Sequence, residues 1–167
     1  MTDRPLTLGC LAATDAGELR KILLDVCASP AWADAVAAAR PWRDRRALLD
    51  ANAEAMAALS AADLHEAMAA HPRIGAPEPG NDASRRDQAA VRGADEALLD
   101  ELRRANAAYE VKFGHVFLIC ATGRTPAAML TALRERHPND PATETEIARG
   151  ELRKINDIRI TRLLDGD

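Results

Sequence analysis

The sequence predicts an all-α fold: one domain, spanning residues 1–167, built from about eight helices and one long ordered loop. Alanine dominates an apolar fraction of 47%, and aromatic residues amount to only 3%. Because alanine combines high helix propensity with little volume, this composition favours closely packed helices over sheets. Apolar residues also recur at helical spacing along nearly the whole chain. The length of 167 residues suits a single domain.

Four helices are predicted in the first part of the chain, over residues 15–26, 31–39, 48–59 and 60–70. Ser29 followed by Pro30 is a capping residue with proline at the first helical position, and this pair begins the second helix. Ser60 and Asp63 resemble a capping box, with Asp in place of the usual Glu or Gln, and they begin the fourth helix.

A loop is predicted after the fourth helix, over residues 71–83. Its sequence, HPRIGAPEPGNDA, contains three prolines and two glycines and interrupts the helical pattern. Ser84 then caps a helix over residues 85–92. Loops of this length inside a compact helical domain commonly bind ligands, so we expect an active-site loop here.

The rest of the chain predicts three helices, over residues 95–113, 125–136 and 141–164. Gly114 ends the first of these, whereas Thr125 and Pro126 begin the second. The segment HVFLICA, residues 115–121, is rich in β-branched and aromatic residues. The sequence contains no second strand with which this segment would pair, so we predict that it is buried extended backbone.

Charge and cysteine content argue against several classes of function. The formal net charge is −4 and no basic stripe occurs, which argues against a nucleic-acid partner. Cys10, Cys27 and Cys120 are widely spaced and form no CxxC pair, so we expect three buried thiols rather than disulfides or a zinc site. The four histidines lack metal-ligand spacing, so no metal is expected. No targeting or membrane-spanning segment is recognisable, so we expect a cytoplasmic protein without a membrane partner.

His71 stands at the mouth of the predicted loop and is the first candidate for chemistry. Pro72 disfavours the α conformation at His71, so the preceding helix should end there and project the imidazole outward. The C-terminus of a helix favours the imidazolium form by about 0.3–1 kcal/mol, which suits a proton donor near neutral pH. From these residues alone, a histidine that only caps its helix is the favoured alternative.

The segment SRRDQ, residues 84–88, is the second candidate. It places a hydroxyl, a carboxylate and a carboxamide at the start of one helix. The free N–H groups and the positive dipole end of a helix N-terminus suit an anionic or carbonyl-rich ligand. Plain N-capping by Ser84, with Asp87 in the first turn, is the simpler alternative for these residues alone.

Four segments taken together resemble one known family. They are HPRIG (71–75), SRRDQ (84–88), NAAYEVKFGHVFLICATGR (106–124) and ELRKINDIRITRLL (151–164). In this order and spacing, over nearly the whole chain, they are similar to the 2-oxo-4-hydroxy-4-carboxy-5-ureidoimidazoline (OHCU) decarboxylases. The resemblance implies a carboxy-lyase that converts OHCU to (S)-allantoin and carbon dioxide in urate catabolism. It also implies a helical homodimer that needs no cofactor.

The same resemblance implies roles for individual residues. His71 matches the catalytic histidine, and Asp87 stands where the family usually has a Glu as the partner of that histidine. Asp is shorter by one methylene, roughly 1.5 Å of reach, and a misplacement of about 1 Å costs on the order of 100-fold in rate. The substrate-binding residues that the resemblance implies are Pro72, Ser84, Arg85, Arg86, Gln88, Phe117, Leu118, Ile119, Cys120, Ala121 and Arg159.

The reaction that the resemblance implies explains why these residue types suffice. In OHCU the carbon that carries the carboxylate adjoins an imine carbon, which accepts the electrons left when carbon dioxide departs, so the substrate needs no cofactor as electron sink. Arg159 suits the carboxylate because its guanidinium is charged and planar. His71, oriented by Asp87, delivers a proton to the ring carbon or shuttles the proton of the substrate hydroxyl. We favour delivery to the ring carbon.

Two other functions remain open at this point. One is a non-catalytic helical binding protein derived from this family, in which Asp87 marks lost catalysis. The other is a lyase or hydrolase that acts on a related ureido compound. A drifting site rarely keeps most of its polar groups, so the binding protein is disfavoured by the presence of His71, Ser84, Gln88 and Arg159.

Overall fold

A computed structural model describes residues 6–75, 86 and 95–166. Within these ranges there are eight α-helices and no strand, which confirms the all-α prediction. They are α1 (Leu8–Ala13), α2 (Ala16–Val26), α3 (Pro30–Ala38), α4 (Arg45–Ala58), α5 (Ala61–Ala69), α6 (Glu96–Phe113), α7 (Pro126–Arg136) and α8 (Pro141–Asp165). Of the helix predicted over residues 85–92, only Arg86 is described, and it is helical. The predicted loop lies outside the described residues from residue 76 onward.

Local capping chemistry sets the bounds of several helices. Ser29 Oγ accepts the Trp32 N–H at 3.2 Å, and a proline follows at the first position of α3. Thr125 Oγ1 likewise accepts the Ala128 N–H at 3.1 Å at the start of α7. Gly114 ends α6 at φ 75°, a left-handed conformation that glycine adopts without steric cost. These three bounds agree with the sequence predictions.

Two features at helix starts differ from the sequence prediction. α1 is an additional helix, in which Thr7 Oγ1 accepts the Cys10 N–H at 3.1 Å. Its six residues are too few to show a periodic apolar stripe. α4 begins at Arg45 rather than at residue 48, because Asp44 Oδ1 accepts the Ala47 N–H at 2.8 Å and caps the helix there.

The capping box predicted at the start of α5 forms only in part. The Asp63 N–H donates to Ser60 Oγ at 3.1 Å, as expected. The Asp63 carboxylate accepts from the Ser60 hydroxyl at 2.6 Å, whereas the Glu or Gln of a full capping box reaches the backbone N–H of the cap residue. A side chain that is shorter by one methylene therefore selects a nearer partner.

Two compact units make up the chain. The first comprises residues 1–67 and 153–167, and the second comprises residues 68–152. In the first unit α3 packs against α2 and α4. The fully buried Trp32 donates through Nε1 to Asn52 Oδ1 at 2.9 Å, and Asn52 Nδ2 donates to Asp157 Oδ1 at 2.7 Å. An amide network therefore joins α3, α4 and the end of α8 within this unit.

The second unit has its core around α6 and α7, which pack against each other. Ile74, Tyr109, Phe117 and Ile119 belong to one buried cluster with residues of both helices. Residues 116–121 belong to no helix or strand, and most of them are buried, which agrees with the burial predicted for this segment.

None of the described helices is long and apolar enough to cross a membrane.

Candidate active site

His71 lies at the end of α5, as predicted. α5 ends at Ala69, and the His71 N–H donates to Met68 O at 3.0 Å in the turn that closes it. His71 and Pro72 are both half-buried. The imidazole therefore lies near the C-terminal end of a helix, where the dipole favours its protonated form.

Two of the three residues after Pro72 are anchored to α6. Arg73 and Glu110 form a two-point ion pair, with Nε to Oε1 at 2.6 Å and Nη2 to Oε2 at 2.7 Å. Ile74 is buried, and its carbonyl accepts from Asn106 Nδ2 at 3.4 Å. Gly75 has a φ of 86°, so the chain turns at a position that favours glycine. These contacts fix the start of the loop that follows His71.

Charged side chains, rather than a neighbouring strand, bind the backbone of residues 117–121. Arg136 Nη1 donates to Leu118 O at 2.8 Å. The Cys120 N–H donates to Glu151 Oε2 at 2.8 Å, and Cys120 O accepts from Arg124 Nε at 3.2 Å. None of the described residues of the second unit hydrogen-bonds the backbone of Ile119, although this residue is only 5% exposed.

A buried charged network lies behind this segment. Glu144 is fully buried and accepts from Tyr109 Oη at 2.5 Å, from Arg136 Nε at 2.7 Å and from Asn139 Nδ2 at 3.1 Å. The Arg136 guanidinium also lies 4.5 Å from the centroid of the Phe117 ring. Burial, together with the hydrogen bond to Glu144, raises the pKa of the Tyr109 phenol well above its usual range. Tyr109 therefore stays neutral and acts as a hydrogen-bond donor to the carboxylate.

Arg159 lies in the first unit, on α8. It is half-buried, and Nη1 donates to Val26 O at 2.9 Å, at the C-terminal end of α2. Arginine side chains commonly satisfy the last carbonyl groups of a helix in this way. The guanidinium also lies close enough to Cys27 to influence its thiol.

The cysteines agree with the sequence prediction only in part. Cys27 is 1% exposed, and desolvation raises the pKa of its thiol to about 11, against smaller opposite effects of Asn156 and Arg159. Cys120 is half-buried, whereas Cys10 is exposed, so the prediction of three buried thiols is wrong for Cys10. The short helix α1 buries Leu11 and leaves Cys10 facing solvent.

The predicted site residues other than Arg159 fall into three groups. Within the second unit, the residues following His71 and the segment 117–121 meet in one apolar cluster through Ile74, Phe117 and Ile119. Arg86 is helical and exposed. The predicted site residues outside the described ranges are Ser84, Arg85, Asp87 and Gln88. Among the described residues, no group of three or more His, Cys, Asp or Glu side chains is arranged to hold a metal ion.

Sequence reasoning missed the partners of the extended segment. Glu144, Ala148 and Glu151 are all buried and follow one another at helical spacing along α8. Two carboxylates on the buried stripe of a helix need buried donors, and an extended segment without a sheet needs partners for its backbone. Together, these two requirements could have indicated that the buried carboxylates of α8 lie near the extended segment.

The fold and the site together define an all-helical protein with a histidine at a helix end and an extended segment held by charged side chains. The model of the OHCU decarboxylase family matches residues 12–161. The chain is 36% identical over 144 residues to a uric acid degradation bifunctional protein TTL of Arabidopsis thaliana, covering 82% of this chain and 44% of that protein. It is 36% identical over 63 residues to a 2-oxo-4-hydroxy-4-carboxy-5-ureidoimidazoline decarboxylase of Amia calva, covering 38% of this chain and 36% of that protein. The chain thus spans less than half the length of these curated relatives.

Two solved structures resemble the fold. The crystal structure of an OHCU decarboxylase in the presence of (S)-allantoin has a TM-score of 0.75 and 33% sequence identity, covering 84% of this chain and 95% of that chain. The crystal structure of an (S)-allantoin synthase has a TM-score of 0.75 at 20% identity, covering 95% of this chain and 54% of that chain, and supports the fold alone. The chain belongs to the OHCU decarboxylase family.

Proposed function

We propose that this protein is a carboxy-lyase that converts OHCU to (S)-allantoin and carbon dioxide in urate catabolism, without a cofactor. The observation that carries the proposal is the similarity to the OHCU decarboxylase crystallised in the presence of (S)-allantoin, at 33% identity over 95% of that chain. The names of the curated relatives, which refer to uric acid degradation and to OHCU decarboxylation, support the same pathway.

In the proposed reaction His71 supplies a proton. The bond between the ring carbon and its carboxylate breaks, carbon dioxide leaves, and the electron pair moves toward the adjacent imine. The protonated imidazole of His71 then donates on one face to the former imine carbon, which carries the ureido group, and this sets the configuration of the product. The hydroxyl proton passes to the former imine nitrogen, and the carbon that lost the carboxylate becomes the ring carbonyl. The position of His71 at the end of α5 supports this role, because the helix dipole favours the imidazolium form. Asp87 is the proposed partner that orients the imidazole.

Substrate binding is assigned to the residues that match the family. Pro72, Ser84, Arg85, Arg86 and Gln88 are proposed to surround the ring and the ureido group. Residues 117–121 are proposed to contribute backbone groups. This assignment is supported by the N–H and C=O of Ile119, which no described residue of the second unit bonds. Arg159 is proposed to bind the carboxylate of the substrate through its planar charged fork.

We also propose that the protein is a homodimer in the cytoplasm. Its proposed partner is the small molecule OHCU, and no nucleic-acid partner is proposed. The homodimer rests on the family resemblance. Light scattering coupled to size-exclusion chromatography tests it, with a molar mass near 18.0 kDa as the contradicting result.

Optical activity tests the proposed reaction directly. Freshly generated OHCU is incubated with the purified chain, and circular dichroism is followed against a sample without protein. We expect the rapid appearance of optically active (S)-allantoin. Only the slow racemic background would refute the decarboxylase and favour a binding protein, whereas consumption of a related ureide instead of OHCU would favour a different lyase or hydrolase.

A further inference from the structure

Residues 117–121 have to be held in place without a neighbouring strand. Every residue of an extended chain offers an N–H and a C=O, and these groups need partners when they are buried. In a sheet the adjacent strands supply them. Here Arg136 supplies the donor for Leu118 O, and Glu151 supplies the acceptor for the Cys120 N–H, each at 2.8 Å.

Both partners are buried charged residues on helices. Arg136 is 9% exposed and Glu151 is 8% exposed. Hydrogen bonds to an ionised group are roughly twice as strong as those between neutral groups, so these side chains hold the segment more firmly than amides would. Arg136 cannot swing away easily, because Glu144 accepts from its Nε at 2.7 Å and the Phe117 ring lies 4.5 Å away.

The two bonds fall on alternate residues, 118 and 120, which is the spacing of backbone groups along one edge of an extended chain. In an extended chain the intervening residue directs its N–H and C=O toward the opposite edge. That residue is Ile119, and no described residue of the second unit bonds its backbone. One edge of the segment is thus clamped by charge, and the other edge offers a donor and an acceptor side by side.

We propose that Arg136 and Glu151 are positioning residues of the decarboxylase. By clamping one edge of residues 117–121, they present the N–H and C=O of Ile119 to a group that carries the complementary pair, such as the cyclic amide or ureido part of the substrate. The inference rests on the proposed function, because it requires that residues 117–121 bind the substrate. A displacement of the segment by about 1 Å then costs on the order of 100-fold in rate.

Steady-state kinetics of Glu151 variants test the effect on the substrate. Glu151→Ala removes the acceptor, and we expect a higher KM and a kcat/KM that falls by about 10- to 100-fold per folded molecule. Glu151→Gln keeps a carbonyl oxygen for the Cys120 N–H without the charge, so its kcat/KM should lie between those of wild type and Glu151→Ala. Glu146→Ala is the matched control, because Glu146 is on the same helix, is exposed, and pairs with Arg149 at 3.2 Å.

A second pair of variants tests the other half of the clamp. Arg136→Lys keeps the charge but loses the planar guanidinium, whose N–H groups bond Leu118 O and Glu144 at the same time. We expect it to lower kcat/KM in the same direction as Glu151→Ala. Arg134→Lys on the same helix is the control, since the exposed Arg134 bonds only Glu101 at 2.8 Å, and it should leave kcat/KM unchanged.

Amide hydrogen exchange measured by NMR separates this inference from the proposed function. In Glu151→Ala the Cys120 amide should exchange faster while the amides of α6 keep their protection, and in Glu146→Ala neither should change. Wild-type turnover with unchanged kcat/KM in Glu151→Ala, or unchanged exchange of the Cys120 amide, would overturn the clamp. Absence of OHCU turnover in the wild type would refute the proposed function and the substrate role of the clamp together, while the exchange data would still report whether Glu151 holds the segment.

Discussion

The two units satisfy their buried polar groups in different ways. In the first unit the network is built mainly from neutral amides: Trp32 donates to Asn52 at 2.9 Å, and Asn156 Nδ2 donates to Asn52 at 3.4 Å. These side chains join helices whose own backbones are already hydrogen-bonded. In the second unit the network is ionic, and Arg136 and Glu151 bond a segment that has no secondary structure.

The difference indicates what the buried charges are for. A buried ion pair is often no more stabilising than apolar residues of similar volume, because desolvation offsets the attraction between the charges. The Arg136–Glu144 pair therefore needs a reason beyond stability. An isolated extended segment supplies that reason, because it needs strong partners on one edge, and it is the segment to which the family resemblance assigns substrate binding. We infer that the first unit uses polar side chains for packing, whereas the second uses them to hold the segment that is proposed to bind the substrate.

The largest expected effect comes from His71. His71→Asn should fold normally, since His71 is half-buried and follows the end of α5 rather than lying in the core. It should lose nearly all decarboxylation, because general acid–base groups contribute about 10²- to 10⁴-fold. Turnover of OHCU and thermal unfolding are measured in parallel. Activity within a few-fold of wild type would remove His71 from the mechanism.

Glu144→Gln sharpens the comparison between the two networks. It leaves the Arg136 cation without its carboxylate partner, and breaking a buried pair in this way costs about 3–5 kcal/mol of unfolding free energy. We also expect kcat/KM of the folded protein to fall, because Arg136 is then free to leave Leu118 O. Urea denaturation and kinetics at a temperature where the variant is folded measure both quantities.

Asn52→Ala is the matched change in the first unit. Asn52 is fully buried and holds Trp32 and Asp157, so its loss should cost about 1–3 kcal/mol of unfolding free energy. kcat/KM per folded molecule should stay at the wild-type value. Equal losses of kcat/KM in Asn52→Ala and Glu144→Gln would contradict the distinction between a packing network and a positioning network.

Changes at Asp87 are expected to affect turnover rather than stability. If Asp87 replaces the Glu of the family, Asp87→Ala and Asp87→Asn should both lower turnover by on the order of 100-fold, the cost of misplacing a reacting group by about 1 Å. Unfolding free energy should change little, because Ser84 still caps the predicted helix. Asp87→Glu should lower turnover in a site adapted to the shorter acid and raise it in a site that merely tolerates Asp. Unchanged turnover in both Asp87→Ala and Asp87→Asn would leave His71 without a carboxylate partner.

Features that depend on neighbouring residues were predictable from the sequence. Ser29, Thr125 and Gly114 end or begin helices through bonds that span three or four residues, so their effect is visible in a short window. α1 escaped prediction because six residues show too little periodicity.

Features that depend on distant residues were not predictable. Glu151 bonds Cys120 across 31 positions, and Tyr109 bonds Glu144 across 35 positions. Nothing in the local sequence pairs these residues, although the lack of a partner strand for residues 117–121 indicated that side chains had to replace it. The family resemblance named that segment, but it did not identify Arg136 or Glu151, since their role is to hold the segment.

The last prediction concerns Cys27, in the amide-rich first unit, and affects stability only at high pH. Burial raises the pKa of its thiol from 9.0 to about 11, so the unfolded chain releases this proton at a lower pH than the folded chain does. The contribution of the neutral, buried thiol to the unfolding free energy is fully present below pH 9. It is lost as pH rises through 11, because the unfolded state then binds fewer protons than the folded state. At 1.36 kcal/mol per pKa unit, the loss amounts to about 2–3 kcal/mol.

Comparison of wild type with Cys27→Ala isolates this contribution. The pKa of Tyr109 is also raised, so its titration lowers stability at high pH in both proteins and cancels in the difference. We expect the unfolding free energy of wild type to fall more steeply between pH 9 and 11 than that of Cys27→Ala, as measured by urea denaturation at several pH values. Equal slopes would contradict burial as the cause of the raised pKa. A Cys10→Ala variant is the control for the removal of a thiol, because Cys10 is exposed rather than buried.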